Sequence, residues 1–232
     1  MGKRGGSHHS KRLTTPKSVP VVGRKTIQWM LTPRPGPHPK SMGITLGSLL
    51  RDELELGVDM REIKRAMNTG IVQVDGLVVK DTRRPVGIMD IITAGGKNWR
   101  IQVDAMGRLS PVVIDAKQAA HKLAKVMGKR TIRGNKVQIT LHDGRTLLAD
   151  NAVQVGASVR MSVPGFKLEE QLPLKAGVRC LVTSGKHAGD IAQLEKIIER
   201  VGSMDSEASL KAGGESFITV TKYLFVVDDQ FA

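Results

Sequence analysis

Beyond residue 70, almost every apolar run in this chain is short and closed by a tight-turn signal. IVQV (71–74) and LVV (77–79) flank Asp75-Gly76, and GIMDIITA (87–94) and NWRIQV (98–103) flank Gly95-Gly96. TIRGNKVQITLHDGRTLLAD (131–150) sets Gly134-Asn135 and Asp143-Gly144 between three further runs. Asp-Gly and Gly-Gly supply the positive φ that two-residue hairpin turns demand, so the spacing predicts short antiparallel strands. MGRLSPVVI (106–114), ASVRMSVPG (157–165) and SFITVTKYLFVV (216–227), the last interrupted near Lys222, add more strands. DAKQAAHKLAKVMGKR (115–130) is expected to be a helix, with Asp115 and Gln118 in capping-box positions. The fold class is α+β, multi-domain and dominated by short strands, with no internal repeat.

Helical periodicity is confined to the stretch before the first hairpin. In ITLGSLLRDELELG (44–57), Leu46, Leu49, Leu50 and Leu54 form one stripe and Gly57 a stop. In MREIKRAMNTG (60–70), Arg61, Lys64 and Arg65 project from one side of a helix, and Ile63, Ala66 and Met67 from nearly the opposite side. Asp59 stands at the N-cap, Glu62 completes a capping box, Val58 and Ile63 occupy staple positions, and Gly70 supplies the stop. For this helix taken alone, a solvated surface explains the cations as well as a ligand does.

Charge gives the context. The formal net charge is +14, which favours a polyanionic partner. Ten Lys or Arg and no Asp or Glu lie in residues 1–51, whereas residues 205–232 hold two basic and five acidic side chains. The arm over 1–43 carries Lys3, Arg4, Lys11, Arg12, Lys17, Arg24, Lys25, Arg34 and Lys40 among six prolines. It cannot build a core alone, yet it contains the apolar anchors Val21, Val22, Ile27 and Trp29. An arm that orders on RNA accounts for both features. Aromatic residues are 3% of the chain and do not cluster on any strand, so stacking of splayed bases is not expected. Contacts should go to phosphates and 2′-hydroxyls of folded RNA.

GVRCLVTSGKHAGDIAQLEKI (177–197) alternates Val178, Cys180 and Val182 before a Ser-Gly-Lys-His-Ala-Gly bend, and Ile191, Leu194 and Ile197 resume the apolar pattern. A hairpin of a small barrel fits. Gly185 and Gly189 allow a tight turn or close approach of a ligand, and Arg179, Lys186 and His187 offer polar contacts. A phosphate-binding P-loop is excluded, because its first glycine would stand at Cys180 and His187 follows Lys186. No metal or cofactor is expected: His8 and His9 have no carboxylate or cysteine nearby in sequence, and His121, His142 and His187 lack ligand spacing. The lone Cys180 reads as a small buried apolar residue. No apolar run is long enough for a membrane span, and the N-terminus lacks a signal-peptide stretch, so a cytoplasmic protein is expected.

Several blocks resemble the archaeal and eukaryotic small-subunit ribosomal protein family S4e: SKRLTTPKS (10–18) with PRPGPHP (33–39), the helix-helix-hairpin of 44–80, RRPVGIMDII (83–92), NKVQITLHDGR (135–145) and VTSGKHAGDI (182–191), which looks like that family's KOW motif. The resemblance implies an S4-type RNA-binding domain over 44–106, a central β-rich domain over 107–171, a KOW domain of SH3-like barrel type over 172–205, and C-terminal strands over 206–232 packing on them. It implies a structural constituent of the small ribosomal subunit, bound to 16S-type ribosomal RNA and neighbouring ribosomal proteins, with no membrane and no homo-oligomer. Arg61, Lys64 and Arg65 become the RNA contacts, with Lys40 and Arg51 at the rim and Lys186 and His187 at the KOW bend. Ala192 stands where KOW windows commonly carry glycine.

Two other readings stand beside this one. MGRLS (106–110) resembles the Gly-Arg-Leu-Asp motif of pseudouridine synthases, but Ser110 replaces the catalytic carboxylate, so no catalytic residue is expected. A transient KOW-containing transcription or translation factor is the third, and a long acid-free arm suits permanent embedding better.

Overall fold

The computed structural model describes residues 9–21, 23–200, 202 and 204–228. Lys3, Arg4, His8 and Val22 therefore lie outside the described residues. The chain is mostly β, with few helical turns, and divides into two compact units: Met1–Gln102 with Arg108–Asp115, and Val103–Gly107 with Ala116–Ala232.

In the first unit, β1 (Ser10–Lys11) pairs antiparallel with β2 (Trp29–Met30). β3 (Gly43–Thr45) leads into α1 (Leu46–Ser48), which widens into a π turn over Leu49–Glu53. α2 (Met60–Asn68) follows, then the hairpin β4 (Gln73–Val74) and β5 (Leu77–Val78). β6 (Pro85–Gly87) pairs with β3, and β7 (Ile91–Ala94), β8 (Lys97–Val103) and β9 (Leu109–Ile114) complete a sheet of order β5-β4-β7-β8-β9. Both two-residue hairpin turns are where the sequence puts them: Asp75 and Gly76, and Gly95 and Gly96, all have positive φ. Asp75 is also buried, and its Oδ1 accepts the Ile91 N–H at 3.0 Å, tying the turn to β7.

Leu46, Leu49, Leu50, Ile63 and Met67 are all buried, so the helical stripe and the core face of α2 are real. Ala66 is exposed, because the buried edge of this short helix is a single i, i+4 pair. The first helix does not stop at Gly57. Glu55 adopts the left-handed conformation (φ 51°), while the N–H groups of Leu54 and Leu56 bond the carbonyls of Leu49 and Leu50. The capping box is also displaced: Asp59 makes no side-chain cap, and the Glu62 carboxylate accepts the Val58 N–H at 3.0 Å. Val58 is 86% exposed, so no hydrophobic staple forms. Gly70 (φ 84°) does end α2.

The described part of the arm belongs to the first unit. Of the expected anchors that are described, Val21 is half-buried and Ile27 and Trp29 are exposed, while the neighbouring Val19 is buried. Leu109 N–H bonds the Ser18 carbonyl at 2.7 Å, and Arg83 Nε donates to the Thr32 carbonyl at 2.9 Å. His38 Nε2 lies 2.8 Å from Asp90 Oδ2 with both side chains buried, and Asp90 also accepts the Gly87 N–H. A side chain at Gly87 would strike the His38 ring.

The second unit begins with α3 (Ala116–Ala119), a single turn, and then the twelve-residue β10 (His121–Ile132) where a helix was expected. β11 (Lys136–Leu141), β12 (Thr146–Ala149), β13 (Ser158–Ser162) and β14 (Leu168–Leu172) build the sheet β12-β11-β10-β13-β14. β10 is its centre, pairing with β13 through His121–Lys125 and with β11 from Val126 onward. Helix propensity lost to tertiary partners here. Lys122 is fully buried against Asp143 at 3.2 Å, and Lys125 Nζ donates to the carbonyls of Lys222 (2.7 Å) and Thr221 (3.3 Å). Two lysines that read as a helix surface are thus internal.

A second sheet has the order β18-β17-β16-β15-β19, from β15 (Arg179–Val182), β16 (Ile191–Ile198), β17 (Glu207–Ala212), β18 (Glu215–Val220) and β19 (Leu224–Val226). It runs across the boundary expected at 205, so the C-terminal strands share a sheet with the hairpin of 179–198. Cys180, Val182, Ala192, Leu194, Ala208, Leu210, Leu224 and Val226 form its core. Ile197 is partly exposed, although the bulge between Leu194 and Lys196 sets it opposite the buried Ala208.

Candidate nucleic-acid interface

Arg61, Lys64 and Arg65 are exposed, at i, i+3 and i+4 on α2, and form one row of neighbours. The opposite side is fixed by burial of Ile63 and Met67, so the row cannot rotate inward. Glu62, the one acid within the helix, has turned its carboxylate to the Val58 N–H. Among the described residues, none of the three cations has a carboxylate partner within 4.0 Å. This makes α2 a rigid, uncompensated cationic ridge.

The rim residues differ from each other. Arg51 is clamped by its neighbour, with Nε to Asp52 Oδ1 at 2.7 Å and a second bond at 3.0 Å. That hydrogen bond raises the guanidinium pKa against the opposing effect of burial, and it leaves the charge locally neutralised. Lys40 is exposed and borders a small cleft that also contains Ser10, Thr14 and Thr15. Close to Arg51, Glu53 has its carboxyl pKa raised, first by burial and then by Asp52.

The arm divides in the same way. Lys11, Lys17 and Lys25 are exposed, and Lys11 Nζ stands 6.0 Å from the Trp29 ring centroid. Arg12 is buried, with its guanidinium on Thr26 Oγ1 at 3.3 Å, and Arg24 donates to the Thr15 carbonyl at 3.2 Å. Both help to hold the arm together. Arg34 pairs with Asp81 at 3.0 Å but stays largely solvent-exposed.

In the second unit, the bend between β15 and β16 presents Lys186 to solvent. His187 stacks on Phe217 (centroids 4.0 Å apart, 17° between planes) and lies 3.3 Å from Asp190, so it is a positioned loop residue. Gly189 (φ 93°) makes a close backbone approach, but to its own chain: a Cβ there would collide with the Asp104 carbonyl. Gly185 (φ 102°) serves the turn alone, with nothing nearer to its Cβ position than Tyr223 Cδ2 at 3.9 Å. Ala192 points into the core opposite Cys180, so its methyl fills space rather than blocking a contact.

Burial pushes the Lys125 amine down to about 8 and the nearby Cys180 thiol up to about 11. Burial alone would raise Asp143, but Lys122, followed by His142 and Arg145, holds its carboxyl below the ordinary value. These groups are structural. Ser110 lies on β9 with no carboxylate in its place. Among the described residues no cluster of three or more His, Cys, Asp or Glu is arranged to hold a metal, and no helix is long and apolar enough to cross a membrane.

Sequence reasoning passed over one charged feature. Residues 127–136 carry Lys129, Arg130, Arg133 and Lys136 with no acid. Reading 115–130 as a helix split this run, whereas the structure makes it the tip of the β10–β11 hairpin.

Comparison with known proteins follows the same lines. The profile of the ribosomal family S4e matches residues 95–168. The small ribosomal subunit protein eS4 of Korarchaeum cryptofilum is 37% identical over 228 residues, covering 96% of this chain and 97% of its own. That of Methanothermobacter thermautotrophicus is 36% identical over 222 residues, covering 94% and 91%. The crystal structure of the 30S ribosomal protein S4e from Thermoplasma acidophilum superposes with a TM-score of 0.72 at 31% identity, covering 82% of this chain and 96% of that one.

Proposed function

The chain belongs to the S4e family of ribosomal proteins, and from that premise we propose that it is a structural constituent of the small ribosomal subunit in the cytoplasm that binds and stabilises folded 16S-type ribosomal RNA. The observation that carries the RNA part is the row Arg61, Lys64 and Arg65, held outward by Ile63 and Met67 without a compensating carboxylate. Lys11, Lys17, Lys25, Arg34 and Lys40 extend positive charge over the same unit, and Lys186 contributes at the bend of the other. Phosphate and 2′-hydroxyl contacts suit these side chains better than base stacking, because Trp99 and Phe225 are buried in cores and the exposed Trp29 is already flanked by His9 and Lys11.

The same reading assigns the domains. α1, α2 and the β4–β5 hairpin supply the helix-helix-hairpin of an S4-type RNA-binding domain over 44–106. The sheet around β10 is the central β-rich domain. The KOW window lies between β15 and β16, and its SH3-like module takes in β17–β19 as well. The protein acts by holding RNA rather than by catalysis, with neighbouring small-subunit proteins as further partners.

Sedimentation of tagged chain with small subunits tests the assignment. Co-migration that persists through high-salt washing is the expected result. Release at moderate salt would instead favour a transient factor.

A further inference from the structure

We propose that the tip of the β10–β11 hairpin is a second, separate RNA-backbone contact, formed by Arg130, Arg133 and Lys136. The inference rests on the ribosomal reading above and adds a site to it. β10 pairs with β13 as far as Lys125, and Val126 still exchanges backbone hydrogen bonds with Ala157 and Gly156; beyond an irregularity between Val126 and Gly128 the strand runs against β11 alone. Beyond that point the side chains of β10 leave the core, whereas Val137 and Ile139 across the hairpin stay in it. Lys129, Arg130, Thr131, Arg133 and Lys136 are all exposed, and the core of this sheet ends at Val137 and Ile139. The exposed positions of this hairpin gain nothing from core packing, so their composition reflects what they meet outside.

That composition is four cations and no acid within ten residues. The register separates their roles. Lys129 opposes Ile139 on the core-facing side, and its Nζ donates to the Asn151 carbonyl. Arg130 opposes Gln138 and Ile132 opposes Lys136, which puts Arg130 and Lys136 together on the other face. Arg133 sits in the connecting turn, where Gly134 (φ 80°) and Asn135 (φ 55°) bend the chain. Among the described residues the side chains of Arg130, Arg133 and Lys136 have no ion pair, although Asp150 borders the shallow groove beside Lys136. Like charges held this close repel, and a polyanion is the partner that relieves the repulsion. Two arginines favour phosphate, which the guanidinium grips through paired N–H donors. A strand pair without aromatic side chains offers no stacking surface, so the contact is with backbone, not bases.

The test uses the full chain and a transcript of archaeal small-subunit ribosomal RNA in filter binding across a salt series. Arg130→Ala/Arg133→Ala/Lys136→Ala should weaken binding roughly tenfold or more and reduce the slope of log affinity against log salt by about 2 to 3. Arg130→Lys/Arg133→Lys/Lys136→Arg keeps the charge and should retain most of both. Far-UV circular dichroism confirms that each variant is folded. If the alanine variant binds as the wild type does while Arg61→Ala/Lys64→Ala/Arg65→Ala loses affinity, the hairpin site is overturned and the ribosomal reading stands. If the charge-keeping variant falls as far as the alanine variant, the electrostatic site is likewise overturned. A wild-type protein whose binding ignores salt overturns both readings.

Discussion

Replacing Lys122 by Met removes one half of an ion pair that no water reaches. The side chains of Lys122 and Asp143 are 0% and 1% exposed and 3.2 Å apart, so deleting the ammonium leaves a carboxylate in the interior supported by His142 and by Arg145 at 3.6 Å. Breaking a buried pair from one side costs about 3–5 kcal/mol. The Arg145 backbone N–H on Asp143 Oδ1 (3.2 Å) keeps the loss toward the lower end. The two units allow the loss to be located: Trp29 and Trp99 are the only tryptophans, and both belong to the first unit. In urea titrations, far-UV circular dichroism should therefore show an earlier transition from the second unit while tryptophan fluorescence is unchanged. The deficit should also narrow on acidification from pH 7. In the wild type the Asp143 pKa is depressed, so its contribution is present above the unfolded value and is lost as pH falls through the folded one. In Lys122→Met the same carboxyl is no longer held ionised and sheds its penalty by protonating. A deficit below about 1 kcal/mol at pH 7, or one that widens toward acid, would refute the reasoning.

Three further outcomes are expected. Gly189→Ala should destabilise the second unit by roughly 3–5 kcal/mol, combining backbone strain with a collision on Asp104, whereas Gly185→Ala should cost only about 1–2 kcal/mol in denaturant titrations; equal costs would contradict the close approach. Between about pH 8 and pH 9 wild-type stability should rise more steeply than that of Lys125→Met. The folded Lys125 amine loses its proton near 8 while the unfolded one keeps it, and above pH 9 the raised Cys180 thiol opposes the trend. Thermal melts across that range would expose a flat difference. His38→Ala should loosen the arm, seen as faster proteolysis between residues 9 and 43 with the β sheets intact; an unchanged cleavage rate would mean that the Asp90 pair does not anchor it.

What the sequence discloses and what it hides follow a physical division. Asp75-Gly76, Gly95-Gly96 and Gly134-Asn135 announced their turns because positive φ is a demand met by the residue itself. The faces of α2 were legible because a 3.6-residue period is local. β10 was not, since the burial of Lys122 is decided by Asp143 and that of Lys125 by carbonyls nearly a hundred residues away. Arg12 and Arg24 looked like open cations for the same reason, their partners Thr26 and Thr15 becoming neighbours only after β1 meets β2. Gly189 was marked as a close-approach residue, and only the fold reveals that the approaching group is the chain's own backbone.

The most direct test of the central claim is the salt dependence of ribosomal RNA binding by Arg61→Ala/Lys64→Ala/Arg65→Ala. If α2 is a rigid ridge on phosphate, the slope of log affinity against log salt falls by about 2 to 3 relative to wild type, with stability unchanged. A slope and affinity equal to those of the wild type would contradict it.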